Sequence, residues 1–231
     1  MNIIFTRPLM ETEDLMTKFF ALGHKLIHIP TLRILPVDLK NIELNKYDAV
    51  VFTSANAIKF LKINNKSKNM VCFCVGSITE KIARANGFVK TISAGGTVNT
   101  LKNLITNYAK PNKVNKIAYI CGDNVSSDLD SELTREGFMV EKIINYRSEK
   151  ITQISDQDKK LVETNPPHLI FVYSKRSAES FVQLVKKYSL YPLMTGSVVM
   201  CISKKVSDIF KKEGWKKTKI FNPGDEILSL N

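Results

Sequence analysis

Residues 115–148, NKIAYICGDNVSSDLDSELTREGFMVEKIINYRS, repeat the pattern of residues 2–34, NIIFTRPLMETEDLMTKFFALGHKLIHIPTLRI. Each stretch reads as an apolar strand, a polar turn, a helix closed by a glycine (Gly23 or Gly137) and a second strand. Because a repeated unit decides the architecture of a whole chain, this pattern predicts a fold of two similar parts.

Two other kinds of segment recur in the same order. Residues 47–61 and 167–184 each contain an apolar run that ends at a serine, Ser54 or Ser174. This serine is suited to cap the helix that follows. The third kind, a strand followed by a glycine-closed helix, is found in residues 71–105 and 198–230, with Gly87 and Gly214 as the closing glycines.

Strands alternate with helices along the chain, and the apolar runs of the strands are nearly continuous. Such strands are typical of parallel sheets that helices cover on both faces. Each half of the chain supplies five strands, the number in a flavodoxin-like open sheet. We therefore predict an α/β protein with two flavodoxin-like domains.

The domain boundaries allow two interpretations. By sequence alone the two halves are consecutive domains. However, residues 31–36 and 146–151 are extended segments in equivalent places, and they could pair as a two-stranded linker. In that case residues 1–30 and 152–231 form one discontinuous domain, and residues 37–145 form the other.

The composition indicates a soluble, cytoplasmic protein. With 231 residues, 44% of them hydrophobic, the chain can bury one large or two small cores. It shows neither a signal-peptide pattern nor an apolar run of membrane-spanning length. The four cysteines lie in apolar runs and the three histidines are scattered, so we expect reduced core thiols and no metal.

The net charge of +12 suggests an anionic partner, although a lysine-rich chain also reaches such a charge without selection for binding. Nucleic acid is not expected as the partner, because no basic stripe with interleaved aromatic residues is present. The sequence also lacks GxSxG, GxGxxG and GxxxxGK[ST] motifs, so we expect neither a serine nucleophile nor a nucleotide cofactor.

Polar turns follow the predicted strands. In open parallel sheets ligands bind beyond the carboxyl ends of the strands, where helix N-termini present unpaired amides and partial positive charge. Serine and threonine at such turns are first of all helix caps, but turns from two facing domains would form one cleft suited to a large polyanion. The candidate binding residues are Arg7, Thr53, Ser54, Gly76, Ser77, Gly122, Ser174, Ser177, Ser203 and Lys204.

Four segments carry a resemblance to a known family; they are VVFTSAN (residues 50–56), CFCVGSITEKIARANGF (72–88), AYICGDNVSSDLDSELTREGFMVEKIINYRS (118–148) and FVYSKRSAESF (171–181). Their order and spacing resemble those of the uroporphyrinogen-III synthases. The likeness extends from IFTRP in the first strand to FNPGDEILSL near the end of the sequence.

The resemblance implies a monomer of two flavodoxin-like domains joined by a two-stranded ladder, with the active site in the cleft between them. It thereby favours the discontinuous domain assignment. The implied reaction needs no cofactor: hydroxymethylbilane, a linear tetrapyrrole polycarboxylate, closes to uroporphyrinogen III with inversion of ring D and loss of water. Tyr146 matches a recurrent tyrosine of the family that is thought to assist departure of the hydroxyl, so it is the candidate catalytic residue.

Two positions depart from the family pattern. Relatives usually have a glycine followed by small hydroxyl residues where this chain has Ile202, Ser203 and Lys204, and the lysine can substitute by charge. Tyr173 stands where a threonine is common.

The alternative function is that of a two-lobed cytosolic protein that binds a small anion and does no chemistry. This alternative stays open because the sheet topology of such a protein would give the same sequence pattern.

Overall fold

The computed structural model describes residues 1–38, 42–61, 65–125 and 127–230. The strands in chain order are β1 (Asn2–Phe5), β2 (Lys25–His28), β3 (Leu32–Pro36), β4 (Ala49–Phe52), β5 (Val71–Cys74), β6 (Lys90–Ser93), β7 (Lys116–Gly122), β8 (Met139–Lys150), β9 (Leu169–Val172), β10 (Val198–Cys201) and β11 (Thr218–Ile220). The helices are α1 (Leu9–Ala21), α2 (Ala55–Lys59), α3 (Ser77–Ala85), α4 (Val98–Asn112), α5 (Leu129–Arg135), α6 (Asp156–Thr164), α7 (Lys175–Lys187), α8 (Tyr191–Met194) and α9 (Lys204–Lys212).

The chain divides into two compact units. Unit 1 consists of residues 1–33 and 149–231, and unit 2 consists of residues 34–148. The sheet of unit 1 has the order β11-β10-β9-β1-β2, and every neighbouring pair of strands is parallel. Counted along the chain within the unit, this is the 2-1-3-4-5 order of flavodoxin-like sheets.

The second sheet has the order β3-β8-β7-β4-β5-β6. Its strands from β8 to β6 are parallel, and they show the same 2-1-3-4-5 order when β7 is counted first and β4 third. The chain therefore enters unit 2 at the third strand of the pattern and builds the first two strands last. The predicted α/β class with parallel sheets is confirmed.

At the edge of the second sheet β3 lies beside β8. The amide of Val37 donates to the carbonyl of Asn145 (3.0 Å), and the amide of Ile151 donates to the carbonyl of Thr31 (2.9 Å). Because the partner numbers fall as the chain number rises, these two strands run antiparallel.

Buried hydroxyl groups hold the two segments where they leave unit 1. The Ser180 hydroxyl lies within hydrogen-bond distance of the carbonyls of Thr31 (2.9 Å) and Ile151 (3.1 Å) and shares its one hydrogen between them, so one side chain contacts both segments. The amide of Thr31 donates to the carbonyl of Thr6 (3.0 Å), and the Thr31 hydroxyl contacts that of Ser177. We call Thr6, Thr31, Ser177 and Ser180 the crossing cluster. All four are buried, so a lost hydrogen bond there would leave a polar group without solvent to replace its partner.

Both faces of each sheet are covered, as the continuous apolar strands predict. On one face of the first sheet Ile4 and Ile170 pack against α7, while on the other Phe5 and Phe171 stack at 5.3 Å and meet Phe19 of α1 edge-on. Alternate residues of β4, β5 and β7 divide between two further clusters in the same way. The four cysteines are buried and free.

Four helices end at the glycines that the repeats single out. Gly23 follows α1 with φ 79° and Gly137 follows α5 with φ 96°; Gly87 and Gly214 occupy the same place after α3 and α9. A residue with positive φ lets the last helical carbonyls find partners, and glycine adopts this conformation without a Cβ clash. The predicted helix closures are confirmed.

Candidate functional site

The polar turns of unit 1 lie at one edge of its sheet. Phe5 of β1 is paired with Phe171 of β9, and Phe171 is paired with Met200 of β10. The strands β1, β9 and β10 therefore end at nearly the same position along the sheet. The turns that follow them carry four of the predicted residues, namely Arg7, Ser174, Ser203 and Lys204. The helices α1, α7 and α9 begin directly after these turns, so their N-terminal amides lie at the same edge.

Unit 2 repeats this arrangement. Phe52 of β4 is paired with Cys74 of β5 and with Ile120 of β7. The strands β4, β5 and β7 therefore end at nearly the same position along the sheet. The turns and helix starts after β4 and β5 carry Thr53, Ser54, Gly76 and Ser77, and Gly122 is the last residue of β7. Each unit thus gathers its own predicted residues along the carboxyl edge of its own sheet.

Two of the predicted serines act as helix caps. Ser54 Oγ accepts a hydrogen bond from the amide of Asn56 (3.2 Å), and Ser174 Oγ accepts one from the amide of Ser177 (3.0 Å). The capping role predicted from the apolar-run-and-serine pattern is confirmed. Each bond satisfies one amide of the first turn and stabilises the helix by about 1 kcal/mol.

The helices α3 and α9 begin differently. Gly76 has no side chain to cap α3, and Ser203 occupies the cap position of α9 without a side-chain cap bond. Ser77 and Lys204, the first residues of the two helices, are exposed. These two N-termini therefore present first-turn amides without a side-chain cap from the cap residue, and Lys204 adds a positive charge at one of them.

Arg7 is held on several sides. Its Nε lies 3.3 Å from a carboxylate oxygen of Glu11, and its guanidinium lies over the ring of Tyr173, 4.3 Å from the centroid. Its backbone carbonyl accepts a hydrogen bond from Nε2 of His28 (2.8 Å). About a third of the side chain stays exposed (34%), so a ligand can reach the guanidinium.

Ser177 is a predicted binding residue that the structure places away from solvent. Its side chain is buried, its hydroxyl contacts that of Thr31, and it donates to Oγ1 of Thr6 (3.2 Å). Its hydroxyl belongs to the crossing cluster, and its backbone amide is already bonded to the cap Ser174. These contacts give Ser177 a structural position, which the spacing of the SKRS turn does not reveal.

In unit 2, Tyr146 packs directly on Gly122. A methyl group built on Gly122 would lie 2.6 Å from Cε2 and Cζ of the Tyr146 ring and 2.9 Å from its hydroxyl oxygen. The register between β7 and β8 shifts between Cys121 and Gly122, so that Gly122 is paired with Tyr146 rather than with Asn145. Tyr146 is 9% exposed and belongs to the apolar core of the unit. Glycine at position 122 therefore makes room for the tyrosine ring.

Two polar side chains next to the candidate residues, those of Tyr119 and Asn145, are not among the residues predicted from the sequence. Tyr119 lies in β7, and its hydroxyl is 3.1 Å from Thr53 Oγ1; burial raises the pKa of this phenol, so it stays protonated. Asn145 precedes Tyr146 in β8, and its side-chain amide donates to the carbonyl of Ala57 in α2 (2.6 Å). The signal that the sequence offers for both residues is a polar side chain inside an apolar run.

Within the part of the chain that the structure describes, no helix has the length and apolar character of a membrane span. The described residues likewise contain no group of three His, Cys, Asp or Glu side chains placed to hold a metal ion.

Two compact α/β units, each with a parallel sheet and polar helix-starting turns along its carboxyl edge, define a two-domain flavodoxin-like protein suited to an anionic ligand. The sequence model of the family described as uroporphyrinogen-III synthase HemD matches residues 13–220. The chain belongs to this family. It is therefore an enzyme of tetrapyrrole biosynthesis, and the family match does not support the binding-protein alternative.

Solved structures agree with this assignment at the level of the fold. The uroporphyrinogen-III synthetase of Helicobacter pylori is 15% identical, with a TM-score of 0.65, and the alignment covers 100% of this chain and 99% of that chain. A mutant uroporphyrinogen III synthase of Thermus thermophilus is 11% identical, with a TM-score of 0.54 and coverage of 99% and 95%. Both likenesses confirm the predicted two-domain α/β fold. Among curated proteins, no sequence matches the chain.

The contact between Gly122 and Tyr146 predicts a position-specific cost for a methyl group. In Gly122→Ala the added carbon overlaps the tyrosine ring, and we expect a loss of about 1–3 kcal/mol in the free energy of unfolding. The matched control is Gly196→Ala, because nothing lies within 4 Å of a Cβ at that position and its φ is not positive. Urea unfolding measures both variants, and equal losses would contradict the packing described above.

Proposed function

We propose that this protein catalyses the closure of hydroxymethylbilane to uroporphyrinogen III, with inversion of ring D and loss of water. The observation that carries the proposal is the family match over residues 13–220. Because ring closure expels one water and changes no oxidation state, the reaction balances without a redox cofactor. By this chemistry the enzyme is a cyclising hydro-lyase.

The polar turns supply what a polycarboxylate substrate needs. Its carboxylates are ionised near neutral pH, so they interact favourably with cations and with N-terminal amides of helices. In unit 1 we assign this role to Arg7 and to the first turn of α9 with Ser203 and Lys204. In unit 2 we assign it to the first turn of α3 with Gly76 and Ser77, and to the Thr53–Ser54 turn. Ser174 contributes by shaping the first turn of α7.

Catalysis then rests on positioning. Closure of the bilane without inversion gives the type I isomer, so the enzyme must bring the substituted carbon of ring D to the electrophilic carbon instead. Fixing two reacting atoms in this way accelerates one of two competing reactions without new covalent chemistry from the protein. Many separate carboxylate contacts, rather than one reactive group, are suited to hold a linear tetrapyrrole in such a conformation.

Tyr146 is the proposed catalytic residue. Loss of the hydroxymethyl oxygen creates the electrophile, and a phenol that donates a hydrogen bond to the departing hydroxyl assists this step. The packing on Gly122 fixes the ring, which is a requirement for a well-placed donor. The residue also stabilises the core of unit 2, so its catalytic and structural contributions have to be separated by experiment.

The proposals on oligomeric state, compartment and partners are supported by the family resemblance and by the thiols. We propose a monomer that acts in the cytoplasm and works on hydroxymethylbilane without nucleic acid or membrane partners. Four free, buried cysteines are compatible with a reducing compartment. The discontinuous domain arrangement, with residues 31–36 and 146–151 as linkers, is part of the same proposal.

The isomer composition of the product tests the activity. Freshly prepared hydroxymethylbilane is incubated with and without the protein, and the oxidised uroporphyrins are separated by chromatography. We expect the type III isomer with the protein and the type I isomer in buffer alone. If the product with protein matches the buffer control, the proposed activity is wrong.

Replacing Tyr146 by phenylalanine separates its two contributions. The ring stays on Gly122, so we expect the unfolding midpoint to remain close to the wild type, while kcat falls about 100-fold because the donor is lost. Tyr188→Phe is the matched control, since this phenol accepts a bond from the amide of Ile154 (3.3 Å) away from the candidate turns. An unchanged kcat in Tyr146→Phe would leave the residue a purely structural role.

A further inference from the structure

We propose that Tyr173 is a positioning residue, which holds the guanidinium of Arg7 ready to bind a substrate carboxylate. The inference rests on the proposed function, because it assumes that Arg7 binds the substrate. It extends that function to a residue that departs from the family pattern at the end of β9. Tyr173 itself is not proposed to contact the reacting atoms.

Strand register brings the two residues together. Phe5 of β1 is directly paired with Phe171 of β9, so Arg7 and Tyr173, each two positions further on, emerge side by side on the same face. The guanidinium carbon lies 4.3 Å from the centroid of the ring. At this distance a planar guanidinium interacts with an aromatic face through both charge and dispersion.

The ring itself is fixed. Tyr173 is 8% exposed, it stacks on Phe171 with a centroid distance of 6.5 Å, and Phe221 meets it edge-on at 5.3 Å. Arg7, in contrast, keeps 34% of its side chain exposed. An immobile, buried surface therefore carries a cation that a ligand can reach.

The charges around this pair orient the guanidinium. Glu11 approaches Nε at 3.3 Å, which restrains the arginine from the side of α1, while the ring restrains it from the side of β9. A guanidinium has five N–H donors in a rigid fork, and a carboxylate matches the edge formed by the two terminal nitrogens. An arginine fixed by two neighbours loses less conformational freedom on binding than a mobile one.

The phenol oxygen is not the working part of Tyr173. Burial raises the pKa of Tyr173, the nearby negative charge of Glu226 raises it further, and the charge of Arg7 opposes the rise. The group therefore stays neutral at all working pH values and serves neither as an anion nor as a base. Its aromatic face is what Arg7 contacts, so phenylalanine should be able to replace it.

Steady-state kinetics with hydroxymethylbilane tests this role. Substitution Tyr173→Leu removes the ring, and we expect KM to rise about 10-fold with kcat within about twofold, because initial binding is weakened rather than the chemical step. Tyr173→Phe keeps the ring, so its KM is expected to match that of the wild type.

The double variant tests whether the two residues act together. Arg7→Gln should raise KM by at least as much as Tyr173→Leu does, and adding Tyr173→Leu to Arg7→Gln should cause no further rise. The control Tyr188→Leu removes the ring near Lys187 (5.5 Å), away from the candidate turns, and should leave KM unchanged.

The kinetic outcomes separate the explanations. An unchanged KM in Tyr173→Leu, or additive effects in the double variant, would overturn the positioning role although the enzyme is active. Absence of type III product from the wild type would instead remove the proposed function.

An NMR measurement without substrate tests the contact between Arg7 and Tyr173 directly. It applies even if the wild type forms no type III product or if the Tyr173→Leu variant fails to fold. The Hε proton of Arg7, assigned by its loss in Arg7→Gln, should show an upfield ring-current shift in the NMR spectra of the wild type and of Tyr173→Phe. A value typical of a solvated arginine would overturn the contact.

Discussion

Parallel hydrogen bonding between neighbouring strands is the constraint on which the rest of this structure depends. A chain can add a parallel strand only after it has crossed back over the sheet, so a helix follows β1, β9 and β10 in unit 1 and β4, β5, β6 and β7 in unit 2, and these helices begin at one edge of their own sheet. The turns after β1, β9 and β10 in unit 1, and after β4, β5 and β7 in unit 2, obey this rule. The edge at which polar side chains and free amides accumulate is thus a consequence of topology, and a family that binds a polyanionic substrate can use it.

Several hydroxyl groups at these edges have structural roles. Ser54 and Ser174 satisfy amides of their own helices, and Ser177 is used inside the crossing cluster. At α3 and α9 the cap residue offers no such bond, so amide donors and the charge of Lys204 are what a ligand would meet. Hydroxyl residues are thus weak indicators of a binding role here, and the proposed binding roles rest instead on the uncapped helix starts and on Arg7.

The sequence predicts the repeating architecture well because its signals are local. Apolar runs, serine caps and closing glycines act within a few residues, and the strand β4 and the cap Ser54 lie where the pattern predicts them. Local signals do not predict contacts between residues that are far apart in the chain. The burial of Ser177 depends on Thr31, and the contact between Arg7 and Tyr173 depends on the register of β1 and β9. No spacing rule encodes such pairings, so the roles of individual site residues stay predictions.

The uncapped helix starts at the carboxyl edges are proposed to bind the carboxylates of the tetrapyrrole. Hydrogen exchange followed by mass spectrometry, with and without uroporphyrin III as a non-reacting polycarboxylate, tests this most directly. First-turn amides without hydrogen bonds exchange fast in the free protein, so binding should slow them in residues 76–79 and 203–205, while the turns at the opposite edges, residues 22–25 and 136–139, should not change. Slowed exchange confined to the opposite edges, or no change in either helix start, would contradict the account.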